Sequence, residues 1–189
     1  MIINHLIKIT LNNTFCLLIY LLPFYLGAQY YKAAIYTNDR ESLPYRFLLP
    51  ENYSPKKEYP LIIFLHGAGE RGDDNELQLF HGSDLFLDKK IREKYPAIVV
   101  FPQCPLESYW ATILDRPESL KFEYSKNPKD NSILSLVEGI IDDFIQKYGV
   151  DKQRIYIGGL SMGGMGTFEM VYRNPRMFAA AFAICGGAN

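Results

Sequence analysis

The chain has 189 residues, of which 48% are hydrophobic and 22% are charged, and its formal net charge is −1. This length and composition predict one globular domain with a buried core. Because the net charge is close to zero, the sequence gives no indication of a nucleic-acid partner or of binding to an anionic membrane surface.

The first 28 residues have the pattern of an export signal. An apolar run of about a dozen residues, Phe15–Leu26, has the length of the hydrophobic part of a signal peptide and is short for a membrane span. Small residues follow at positions 27 and 28 and suit a cleavage site. We therefore predict a signal peptide over 1–28, a domain over 29–189 and a secreted or periplasmic location, with a membrane anchor as the alternative.

Strands and helices are predicted to alternate along the rest of the chain. The alternation indicates a mostly parallel sheet with helices on both faces. The stretch 106–131 lacks any periodicity and is predicted to be a loop. Strands are predicted at 31–37, 43–49, 59–66, 97–101 and 178–184, and before the turn at 159–163; helices at 84–94, 132–148 and after residue 161, with one helical turn within 75–81.

The turn Gly159-Leu160-Ser161-Met162-Gly163 fits the G-x-S-x-G pattern of a nucleophile elbow. In such a turn a serine projects its hydroxyl from the end of a strand, and side chains two residues away on either side would collide. Glycine at 159 and 163 avoids that collision. The alternative interpretation is a glycine-rich strand-to-helix turn whose serine only caps the helix.

Several segments together resemble the α/β-hydrolase superfamily, and within it the exported esterases called phospholipase/carboxylesterase, polyhydroxybutyrate-depolymerase-like or feruloyl-esterase-like. The resemblance implies the α/β-hydrolase fold and ester hydrolysis through an acyl-enzyme, with no cofactor. It covers Arg46 to Asn189. The matching segments are FLLPENY at 47–53, YPLIIFLHGAGERGDDN at 59–75, FPQCP at 101–105, RIYIGGLSMGGMGTFEM at 154–170 and AAFAICGG at 180–187.

The same resemblance implies roles for individual residues. Ser161 would be the nucleophile, and the backbone N–H groups of Met162 and Ala68 would form the oxyanion hole. The substrate would be a small-molecule or polysaccharide-linked ester. No group of side chains has metal-ligand spacing. The predicted substrate-binding residues are His66, Gly67, Gly69, Glu70, Arg71 and Trp110, although His66 is also expected to order its loop by hydrogen bonding.

The sequence departs from the family pattern after the elbow. The family order is serine, then an acid, then histidine, but only Glu169 follows Ser161 and no histidine does. Glu169 lies in the helix next to the elbow, where the family acid does not occur, and neither His66 nor His81 is expected to be the base. We therefore predict that the chain lacks the last strands of the α/β-hydrolase fold and that it hydrolyses esters poorly.

Two other functions stay open at this point. One is a serine peptidase of the prolyl-oligopeptidase type, and the other is a non-catalytic remnant that binds carbohydrate or lipid. Two cysteines, Cys104 and Cys185, lie within the predicted domain. In the family's strand order they follow strands separated by two others, about 14 Å apart, so we predict that they do not form a disulfide.

Overall fold

The computed structural model describes residues 30–115, 123–124, 127 and 131–187. The predicted signal peptide lies outside these residues. The strands are β1 Lys32–Thr37, β2 Ser42–Leu48, β3 Tyr59–Leu65, β4 Ile98–Pro102, β5 Ile113–Asp115, β6 Glu123–Tyr124, β7 Val150–Leu160 and β8 Ala180–Ile184. The helices are α1 Ser83–Leu87, α2 Lys89–Lys94, α3 Ser132–Lys147 and α4 Met162–Arg173, with 3-10 turns at Ala68–Glu70 and Leu77–Leu79.

Within the described residues, six strands form one sheet in the order β1-β2-β4-β3-β7-β8. The four strands β4, β3, β7 and β8 run parallel. Strands β1 and β2 pair antiparallel with each other, and β2 pairs antiparallel with β4. The predicted mostly parallel sheet is therefore confirmed. Since β3 and β7 are adjacent and parallel, the loops after them leave the same edge of the sheet side by side.

The neighbouring strands β3 and β4 are apolar along their whole length, as expected for strands covered on both faces. Successive side chains of a strand point to opposite faces. In β3, Ile63 and Leu65 lie in the core under α3 and α4, and Phe64 lies in the core on the other face, under α1. The predicted placement of helices on both faces is thus confirmed.

The longest helix, α3, begins and ends as its sequence indicates. The side chain of Asn131 caps it by accepting a hydrogen bond from the N–H of Leu134, and Gly149 follows its end with φ +61°. One face of the helix is buried against the sheet. Its buried residues are Ile133, Leu134, Leu136, Val137, Ile140, Ile141 and Phe144.

Two local predictions were wrong. The single helix predicted at 84–94 is two short helices, because Asp88 leaves the helical conformation and caps α2 through the N–H of Ile91. The stretch 106–131 contains the antiparallel strands β5 and β6, so it is more than a loop. Periodicity gave no signal there because these strands have three and two residues.

Cys104 and Cys185 are both free, which confirms that they do not pair. They follow β4 and β8, and β3 and β7 lie between those strands. No helix in the described part of the chain is long and apolar enough to cross a membrane.

Strand β8 lies at one edge of the sheet and is largely exposed. Phe182 and Ile184 expose 41% and 45% of their surface, and the strand contains no charged residue. An apolar edge without charge or proline favours pairing with another chain. Among the described residues, no strand or helix covers the outer edge of β8.

We therefore expect Ala181→Lys to reduce self-association of the protein. Ala181 is exposed and lies in the middle of β8, so the substitution places a charge on the free edge without removing packed surface. Static light scattering over a concentration series measures the effect. Ala33→Lys, on exposed β1 at the opposite edge, is the matched control. A larger decrease from Ala33→Lys would assign association to the other edge.

Candidate active site

Ser161 lies between β7 and α4 in a strained backbone conformation. Its φ of 55° and ψ of −112° are unusual for a residue with a side chain. The N–H of Ser161 donates to the carbonyl oxygen of Ile184 over 2.7 Å, so β8 helps to hold the turn. The residue is exposed, and its side chain makes no capping hydrogen bond to α4. The alternative of a serine that only caps the helix is therefore wrong.

The two glycines of the motif are required by close backbone contacts. A Cβ atom at Gly159 would overlap the carbonyl group of Gly163, and a Cβ atom at Gly163 would overlap the carbonyl oxygen of Leu65. The start of α4 therefore lies directly against the end of β3. Any larger residue at 163 would push the helix away from the sheet and move Ser161 with it.

The loop after β3 meets the elbow at this edge of the sheet. Leu65 pairs with Gly159 in the β3–β7 register, so both chains leave the sheet at the same level. Ala68 begins a 3-10 turn and Met162 begins α4. In the described ranges, neither the N–H of Ala68 nor that of Met162 donates a hydrogen bond. N–H groups at the start of a helical turn can stabilise negative charge on a nearby oxygen.

His66 supports the loop from inside the protein. Its side chain is fully buried, and its Nε2 accepts a hydrogen bond from the N–H of Cys104 over 2.9 Å. Because Nε2 accepts, Nδ1 carries the proton and donates to the carbonyl oxygen of Gly67 over 2.6 Å. Burial lowers the pKa of His66 to about 4, so the ring is neutral at pH 7.

Trp110 packs behind the same loop. It is fully buried, and its Nε1 donates to the carbonyl oxygen of His66 over 3.0 Å. A Cβ atom at Gly166 of α4 would overlap the Cβ atom of Trp110, so the indole also sets how closely the helix approaches. Residues without exposed surface cannot contact a substrate directly. The predicted substrate contacts of His66 and Trp110 are therefore corrected to supporting roles.

The other predicted substrate-binding residues differ in exposure. Gly69 is exposed, Gly67 is buried, and Arg71 and Glu70 are half-buried. The side chain of Arg71 donates hydrogen bonds to backbone carbonyl oxygens, including that of Ala68 over 3.0 Å. One carboxylate oxygen of Glu70 lies 3.7 Å from Nε2 of His81, and its other oxygen is buried without a hydrogen-bond partner in the described structure.

Two side chains, those of Gln103 and Glu169, have supporting roles that the sequence analysis did not predict. The buried side chain of Gln103 accepts from the N–H of Asn75 over 2.6 Å and donates to Asp74 over 3.0 Å. The carboxylate of Glu169 accepts from Oγ1 of Thr112 over 2.7 Å. Both side chains therefore hold loops in place. A glutamine directly after a buried strand was the available signal for Gln103.

A strained serine between a parallel strand and a helix, at the carboxyl edge of the sheet, defines an α/β-hydrolase with a nucleophile elbow. Residues 40–189 match the family described as "Putative esterase", and the chain belongs to that family. The resemblance that the motifs indicated is thus confirmed at the level of the family.

Individual relatives agree with the family. Lysophospholipase-like protein 1 of Mus musculus is 30% identical over 138 residues, which are 68% of this chain and 54% of the relative. Acetylxylan esterase A of Emericella nidulans is 32% identical over 94 residues, which are 50% of this chain and 29% of that protein. The chain thus spans about half or less of the length of these relatives.

Solved structures show the same fold. A thermostable esterase superposes with a TM-score of 0.75 at 37% identity, covering 87% of this chain and 43% of that one. A ferulic acid esterase from the anaerobic fungus Anaeromyces mucronatus superposes with a TM-score of 0.55 at 19% identity, covering 79% and 56% of the two chains. The second likeness concerns the fold alone.

We expect Gly163→Ala to destabilise the protein by about 3 kcal/mol or more. Alanine normally stabilises a helix relative to glycine, but here its methyl group would overlap the carbonyl oxygen of Leu65. Urea denaturation measures the loss. Gly69→Ala is the matched control, because no atom lies within 4 Å of the added methyl group, and it should change stability by less than about 0.5 kcal/mol. Equal effects of the two substitutions would contradict this packing.

We also expect His66 to make stability depend on pH. Its pKa of about 4 in the folded state lies below its ordinary value of 6.5, so the unfolded state binds the proton more readily. Stability should therefore fall as the pH drops from 6.5 to 4, by roughly 3 kcal/mol in total. Denaturation at several pH values measures this loss.

The comparison variants for this test are His66→Asn and His81→Asn. His66→Asn should remove the fall in stability between pH 6.5 and 4. His81→Asn, which replaces a half-exposed histidine, should keep it. Titration of the His66 ring by NMR gives an answer even if His66→Asn does not fold. An inflection near pH 6.5 for that ring would show that it is not buried as described.

Proposed function

We propose that this chain provides the nucleophile and the oxyanion hole of a serine carboxylic-ester hydrolase. The observation that supports this most is the conformation of Ser161. Its backbone is strained, its side chain is exposed, and its hydroxyl is not used as a helix cap. Strain of this kind persists where function requires the geometry.

The proposed reaction has two steps. In the first, Oγ of Ser161 attacks the carbonyl carbon of the ester and loses its proton, and the bond to the alcohol breaks as the alcohol takes up a proton. In the second, water attacks the acyl carbon, the bond to Oγ breaks, a proton of the water passes to Oγ, and the carboxylic acid leaves. In both steps the carbonyl oxygen becomes negatively charged and accepts hydrogen bonds from the N–H groups of Met162 and Ala68. Each such donor is worth about 10²–10³ in rate.

The substrate is proposed to be a small-molecule or polysaccharide-linked ester. The names of the relatives, a lysophospholipase-like protein and acetylxylan esterases, support this class. The exposed loop position Gly69 and the half-buried Glu70 are proposed to lie at the mouth of the site. A secreted or periplasmic location remains a proposal that rests on the sequence pattern of residues 1–28.

The proton acceptor for Ser161 is not assigned to either histidine of the described residues. Both ring nitrogens of His66 are engaged in hydrogen bonds inside the protein. His81 faces Glu70, and its ring packs edge-on against Phe80. No histidine follows Ser161 in the sequence. An unassisted serine is a weak nucleophile, so we propose that the chain as given reacts slowly.

We expect slow labelling of Ser161 by a fluorophosphonate probe, together with little or no turnover of p-nitrophenyl acetate. Mass spectrometry of peptides locates the label, and absorbance measures turnover. Ser161→Ala should abolish labelling, whereas Ser135→Ala, at an exposed serine of α3, should not change it.

Other outcomes would favour another function. Complete absence of labelling favours the non-catalytic binding remnant. Cleavage of a proline-containing peptide p-nitroanilide favours the peptidase. Turnover as fast as that of the longer relatives, and dependent on Ser161, would contradict the proposed lack of a base.

A further inference from the structure

Arg71 connects the loop 67–69 after β3, here called the oxyanion loop for the function proposed for Ala68, to the segment that follows β4. Its Nε donates to the carbonyl oxygen of Ala68 over 3.0 Å. Its Nη1 donates to the carbonyl oxygens of Leu106 over 2.8 Å and Ser108 over 3.3 Å. The guanidinium also lies 4.7 Å from the centre of the Tyr109 ring. The arginine thus joins two loops through backbone atoms.

These contacts determine how the peptide planes around Ala68 are oriented. In a trans peptide the C=O and N–H groups point in opposite directions, so holding the oxygen also sets the direction of the N–H. His66 holds the oxygen of the plane that contains the N–H of Ala68. Arg71 holds the oxygen of the next plane, between Ala68 and Gly69. Residue 68 is therefore fixed on both sides.

We propose that Arg71 is a positioning residue that keeps the N–H of Ala68 directed at the site and couples this geometry to the segment 106–109. The inference rests on the proposed function of the Ala68 N–H. Arginine suits this role because its planar fork reaches several carbonyl oxygens at once, whereas lysine offers one compact charge. The sequence analysis placed Arg71 among the substrate contacts, and its bonds to backbone oxygens assign it this other role.

The coupling has a route to the surface. Leu106 exposes 61% of its surface, while Ser108 and Tyr109 are half-buried. Only the side chain of Arg71 lies between this segment and the carbonyl oxygen of Ala68, so a molecule that binds the segment 106–109 can affect the oxyanion loop through Arg71. Arg71 also lies near the buried ring of His66, where its charge helps to lower the pKa of that histidine.

The test compares Arg71→Ala and Arg71→Lys with the wild type. The rate of Ser161 modification by an aryl fluorophosphonate is measured against probe concentration by mass spectrometry. Arg71→Ala should lower the maximal rate by about 10²-fold, the lower end of the loss of an oxyanion donor, and leave the half-saturating concentration unchanged. Added millimolar guanidinium should restore part of the rate in Arg71→Ala alone. Arg40→Ala, at an exposed turn between β1 and β2, is the matched control.

Hydrogen exchange provides a readout that does not depend on activity. The N–H of Gly72 donates to Cys104 and that of Ser108 to Pro105, so both amides report on the joined segments. Exchange at both should accelerate in Arg71→Ala and stay unchanged at the β7 amides. If the wild type is never labelled, the proposed function fails, and this exchange alone decides whether Arg71 holds the two loops together.

Two results would overturn the inference. The first is wild-type exchange at Gly72 and Ser108 in Arg71→Ala. The second is a labelling rate per folded molecule equal to that of the wild type, even with a lowered melting temperature, because it would limit Arg71 to a contribution to stability.

Discussion

The structure depends on a contact between two backbones that leaves no room for a side chain. The start of α4 lies against the carbonyl oxygen of Leu65 only because residue 163 is glycine, and the turn closes on itself only because residue 159 is glycine. This contact sets the strained conformation of Ser161. It also brings the loop of Ala68 beside the elbow, since both leave the sheet at adjacent strand ends. The candidate site is therefore a consequence of how closely a helix can approach a sheet.

The loop after β3 is itself held by polar side chains that are buried or half-buried. Its carbonyl oxygens accept hydrogen bonds from His66 and Arg71, and Gln103 holds the stretch that follows. Hydrogen bonds are stronger in such an interior than in water, and losing one partner is correspondingly costly. Many of the charged residues that follow β3 therefore maintain backbone geometry. The polar composition of this segment alone does not identify which residues contact a substrate.

The elements and the elbow at Ser161 could be predicted from the sequence because they depend on local rules. Uninterrupted apolar runs indicate strands covered on both faces, and the glycines around Ser161 indicate the elbow. The roles of Trp110 and His66 could not be predicted in the same way. A tryptophan in a stretch without periodicity can be exposed or buried, and only the structure, with its contact to Gly166, shows that Trp110 is buried. The break at Asp88 was missed because capping there competes with continuing the helix.

The hydrogen bond between Ser161 and Ile184 has a consequence for the order of assembly. Ile184 follows Ser161 by 23 residues in the sequence, yet its carbonyl oxygen holds the serine amide. During synthesis the serine leaves the ribosome before the strand that holds it. The hydrogen bond that helps to hold its strained conformation therefore forms only when β8 has joined the sheet. In a nascent chain the turn at Ser161 therefore lacks this hydrogen bond until residue 184 has been synthesised.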